Sequence, residues 1–126
     1  MVKHLILSLA TLLLVACSTH DEQYYRVHPE ALQKALKKCP EQRPDALTCD
    51  ELNRIALDVN QLVYSLQMSP QGFGTKIIAL QVELAKQQSL LRTNPNQPEL
   101  VSAIAALKQQ LAMRLAIVKW LESPEN

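Results

Sequence analysis

Glycine is almost missing from this sequence: two residues in 126, Gly72 and Gly74. A phosphate-cradling loop or a dinucleotide fingerprint needs several glycines at close spacing, so neither can be built here. An excess of one charge is missing too, with 13 Lys and Arg against 12 Asp and Glu and no basic block. That disfavours nucleic acid as a partner, because neutralising phosphates takes clustered cations. Histidine occurs three times, and no His or Cys spacing resembles a zinc site. There is no Gly-x-Ser-x-Gly elbow and no serine with a histidine pattern near it. Asp50 and Glu51 are explained by helix capping, and Asp58 falls on the polar side of its helix. Catalysis requires a base, nucleophile or metal held in a concave site. The chain is therefore expected not to be an enzyme, and no cofactor or metal is expected.

What is present begins with an address. Met1-Val2-Lys3-His4 is a short, weakly basic start, and Leu5 to Leu14 is an apolar run. That run is too short to span a bilayer, which takes roughly 20 apolar residues, and it reads as a signal peptide. It ends in Leu14-Val15-Ala16-Cys17, which resembles a bacterial lipobox. The resemblance implies cleavage before Cys17, acylation of Cys17 and attachment to a membrane through that lipid. Two acyl chains already suffice for stable anchoring. Ser18, rather than Asp, follows the cysteine, which for Gram-negative lipoproteins favours the outer membrane facing the periplasm. Losing residues 1–16 removes Lys3 and leaves 12 basic against 12 acidic residues, a net charge of zero.

Residues 17–27 read as a lipid-anchored tether, polar and without periodicity from Ser18 to about Gln23. Residues 28–122 read as a helical domain and 123–126 as a tail. His28-Pro29-Glu30 suits a helix start, with Pro29 at the first helical position. Ala31, Leu32, Ala35 and Leu36 form the apolar stripe of this short helix, Lys34, Lys37 and Lys38 suit its C-terminal end, and Pro40 stops it. Thr48-Cys49-Asp50-Glu51 matches a capping box and opens a second helix with the stripe Leu52, Ile55, Val59, Leu62 and Leu66. Ser69-Pro70 ends that helix and starts a third, striped by Phe73, Ile77, Leu80, Leu84 and Leu91 with a polar interruption at Gln87. Asn94 to Pro98 is a turn by composition. The fourth helix carries Leu100, Ile104, Leu107, Leu111, Leu115, Val118 and Leu121. No stretch alternates like a strand. The expected class is all-α: a short N-terminal helix, disulfide-linked to an antiparallel bundle or hairpin of three longer helices. Stripes this narrow also suit coiled-coil seams, which leaves homo-oligomerisation open.

Cys39 and Cys49 are the thiols that remain after lipidation, and an even pair in an exported protein reads as a disulfide. Its task would be to fasten a helix too short to stand alone. Tyr24-Tyr25 reads in two ways. The pair is a recognition or membrane-interface patch, or one ring staples the first helix while the other is half exposed. Trp120 and Tyr64 read as edges of the core. Gly72-Phe73-Gly74, in the first turn of a helix, suggests a close backbone approach.

The stretch Tyr24-Tyr25-Arg26-Val27-His28-Pro29-Glu30, followed by Cys39 and Cys49 and preceded by the lipobox, resembles the short EexN-type lipoproteins. These are associated with entry exclusion in conjugative type IV secretion. The resemblance covers residues 17 to about 53, under half of the mature chain, and the chain then continues through some 75 further helical residues. It implies a conjugation-linked envelope lipoprotein with a protein partner in the incoming apparatus, and it marks Tyr24, Tyr25 and His28 as interaction positions. Small helical lipoproteins with one disulfide also resemble pilotins, which bind a partner helix of a secretin. That second likeness is one of architecture, with no matching motif.

Overall fold

A computed structural model of the chain describes residues 21–39 and 47–123. The leader, Cys17 and residues 40–46 and 124–126 lie outside the described residues. Everything described is helix or turn: α1 Glu22–Val27, α2 Pro29–Leu36, α3 Cys49–Met68, α4 Pro70–Thr93 and α5 Pro98–Glu122.

The helix starts follow local chemistry. At Thr48 the hydroxyl accepts from the Glu51 backbone N–H at 3.2 Å, while the Glu51 carboxylate accepts from the Thr48 N–H at 2.7 Å. Two orphan donors of the first turn are thereby satisfied reciprocally. Ser69 caps α4 by accepting from the Gly72 N–H at 3.1 Å, and Pro29, Pro70 and Pro98 each occupy a first helical turn. There the missing N–H costs nothing.

One departure concerns the segment expected as tether. Asp21 accepts from the Tyr24 N–H at 2.9 Å and opens α1, so residues 22–27 are a helix and part of the folded unit. The aperiodic composition hid it, because one and a half turns are too few for a stripe to repeat.

The main core gathers Tyr25 of α1, Leu32 and Ala35 of α2, Leu52, Ile55 and Val59 of α3, Phe73 of α4 and Ile117 of α5. Leu52, Ile55 and Ile117 are fully enclosed. The members from α4 and α5 come from the start of one and the end of the other. The three N-terminal helices thus pack around the base of the α4–α5 hairpin. The Arg114 guanidinium lies 5.0 Å above the Phe73 ring centroid, which ties that base together. Farther toward the turn at residues 94–97, Leu80 and Ile104 are buried and Leu84, Leu91, Leu100 and Leu107 are half-buried. Gln87, the interruption in this seam, donates to Glu83 one turn earlier at 2.7 Å.

The stripe expected on α5 holds from Leu100 to Leu111 and again at Val118, which packs against the core, but not at two positions. Leu115 and Leu121 are exposed, and Met113 and Ile117 are buried in their place. At roughly 100° per residue Met113 lies about 180° round the helix from Ile104. The reason is the number of partners. Near its end α5 meets α1, α2 and α3 as well as α4, so its buried side changes there. The helix is apolar nearly all round, with a mean hydropathy of 1.3 over its most apolar 18 residues and only 17% of that window buried. A single periodic stripe cannot be chosen from such a pattern.

Tyr64 is likewise not a core edge: it is 64% exposed, on the side of α3 away from Leu52, Ile55 and Val59. The glycine pair has different causes at its two positions. A Cβ on Gly72 would come within 2.8 Å of the Ser69 hydroxyl that caps the helix, whereas a Cβ on Gly74 meets nothing within 4 Å. Gly74→Ala is therefore expected to stabilise the protein by about 1 kcal/mol, raising Tm by roughly 4–8 °C. Gly72→Ala should give no such gain, because the same Cβ displaces the cap. Equal melting shifts for both variants would contradict this assignment.

Candidate interaction site

The N-terminal residues singled out in the sequence come together around the α1–α2 break. The His28 ring stacks on Tyr24 with centroids 4.1 Å apart and planes 21° from parallel. Its Nδ1 lies 2.7 Å from the Tyr24 carbonyl oxygen. A carbonyl only accepts, so Nδ1 is the donor in this contact. Tyr25 meets Tyr24 edge-on at 5.4 Å and is 2% exposed. Tyr25 thus belongs to the core, while Tyr24 and His28 remain half-buried at the surface. Arg26 reaches from α1 to Asp58 of α3 at 2.6 Å. With Asp58 half-exposed, this contact is worth no more than about 1 kcal/mol.

Cys39 and Cys49 are joined, with Cα atoms 6.0 Å apart. The bond links the turn after α2 to the first residue of α3, one residue past the Thr48 cap. It therefore ties the end of α2 to the start of α3.

A further feature has no counterpart in the sequence pattern. The outer side of α2 and the last turns of α5 face each other across a cleft of about 610 Å³, inside the range typical of binding sites. Val27, Pro29, Ala116 and Trp120 line it with apolar surface, and these residues are buried or half-buried. Lys34 and Lys37 stand on the α2 wall and Lys119 on the α5 wall, all exposed, with Glu30 as the lone carboxylate among the described lining residues and His28 at one end. In the sequence Lys34 and Lys37 read as complements to a helix dipole, and Trp120 as a core edge. Nothing in the pattern relates α2 to a helix some 80 residues later. Only the juxtaposition of Lys119-Trp120 with the polar face of α2 makes a site of them.

Comparison with known proteins adds no relative: no family model, no curated protein and no solved structure matches the chain.

Proposed function

We propose that the protein is a lipid-anchored, periplasm-facing interaction protein of the bacterial envelope, serving a conjugation or secretion system, with entry exclusion as the specific role. The observation that carries this reading is the Cys39–Cys49 disulfide in a chain headed by an apolar leader and Leu14-Val15-Ala16-Cys17. Structural disulfides persist in oxidising compartments, and a signal ending at a lipobox cysteine leads to one. Acylated Cys17 would stand four residues before Asp21, the N-cap of α1, so the N-terminal helices would work close to the bilayer.

A second reading, a pilotin-like or scaffold lipoprotein that binds a partner helix, is favoured by a separate observation. Leu57, Tyr64 and Met68 are 64, 64 and 67% exposed and lie on one face of α3, opposite its core stripe. Apolar side chains aligned at helical spacing on a surface suit helix recognition.

The test uses cells that produce the full chain or its Cys17→Ser variant. The wild-type chain is expected to incorporate labelled palmitate and to fractionate with membranes, and the variant to do neither. Recipient cells carrying the wild-type chain should accept a conjugative plasmid less often than recipients carrying the variant. Labelling without any change in plasmid receipt would remove entry exclusion and leave the helix-binding reading. Absence of labelling would remove the anchor from both.

A further inference from the structure

The α2–α5 cleft has the anatomy of a peptide-docking site. Its apolar lining sits low, at Val27, Pro29 and Trp120, and its charge sits at the rim. Among the described residues Lys34, Lys37 and Lys119 have no ion-pair partner, and the only described carboxylate in the lining is that of Glu30. We propose that this cleft docks an acidic segment of a protein partner, which sets an apolar side chain against Trp120 and carboxylates between the two lysine-bearing walls. The proposal rests on the reading that the chain acts by binding another protein, and it assigns that binding a place and a partner chemistry.

Three physical points select this occupant. Small-molecule sites orient their ligands with buried polar groups, and none of the described polar side chains that line this cleft is buried. An apolar centre with a charged rim is instead the arrangement of protein interfaces, where a tryptophan commonly anchors the contact. A membrane surface would require the cations on one outward face. Here they oppose each other across a concavity, so an anion entering between them meets positive charge from two sides.

Trp120 is the sole tryptophan of the chain, which makes its emission a direct reporter of occupancy. Titrating the full chain with a blocked peptide of alternating glutamate and leucine should give a saturable shift in emission that weakens with added salt. The same peptide with glutamine in place of glutamate should bind about tenfold more weakly or worse, and so should the acidic peptide to a Lys34→Glu/Lys119→Glu chain. Both lysines are exposed, so the variant should keep the wild-type circular dichroism and melting midpoint. A Lys34→Gln/Lys119→Gln chain gives an intermediate affinity and covers the case in which charge reversal disturbs the fold. Equal binding of the glutamine peptide overturns the proposal, as does an unchanged titration in both lysine variants. So does an emission shift with phosphatidylglycerol vesicles but none with the peptide. The titration does not require acylation of Cys17, so its failure and the failure of lipid labelling are separate results.

Discussion

Removing the disulfide should cost the protein about 3 kcal/mol of stability, the chain-entropy value for closing a loop of this size. Cys39→Ser/Cys49→Ser is expected to unfold at a lower urea concentration than the oxidised wild-type chain. Reductant should bring the wild-type protein to the same midpoint and leave the variant unaffected. The loss should also be local in its consequences. α2 has eight residues, too few to persist alone in water. It is held by Leu32 and Ala35 in the core and by the covalent link to α3. Amide exchange should therefore accelerate most in α1 and α2 and least in the α4–α5 hairpin. The same urea midpoint with and without reductant would mean that apolar packing alone holds these helices. Since α2 supplies one wall of the cleft, acidic-peptide binding should weaken in the reduced protein as well.

Truncating the centre of the core should have an effect at least as large. Ile55 is 0% exposed and belongs to the cluster that joins all five helices. Ile55→Ala is expected to destabilise by about 2–5 kcal/mol, the loss of the buried methyl groups plus the cavity they leave. A domain of this size has roughly 5–15 kcal/mol in total, so the loss is a large share of the whole, and Ile55→Val, at about 0.5–1.5 kcal/mol, supplies the graded measurement. Leu57, two residues away and 64% exposed, is the control. Leu57→Ala should stay within about 0.5 kcal/mol of wild type. A large, concentration-dependent loss at Leu57 would instead show that the outer face of α3 is covered by a second copy of the chain.

Secondary structure was largely legible before the fold, and particular residues say why. Thr48 and Glu51, Ser69 and Pro70, and Asn94 to Pro98 act within one turn of chain, so their hydrogen bonds and fixed φ angles mark helix ends whatever the surroundings. The α3 stripe was legible because its polar positions are truly polar, which leaves one apolar face for the core. α5 was not, because an apolar residue stands on nearly every side of it. α1 is too brief to show a periodic stripe, and the exposure of Tyr64 is not legible because an aromatic ring on a helix carries no mark of which neighbour will cover it.

The linear chain settled the all-helical fold class, the starts of α2, α3, α4 and α5, the pairing of Cys39 with Cys49 and the stripe that α3 turns inward. Each of these depends on spacing along one segment, or on two cysteines standing at the two ends of one short link. Which tyrosine is core and which is surface, which side α5 buries at each end, and the meeting of Lys34 and Lys37 with Lys119 and Trp120 all waited on the packing of helices far apart in sequence. Contacts of that kind are chosen by the shape and apolar area of whole faces competing for one core. No local pattern of residues encodes the outcome of that competition.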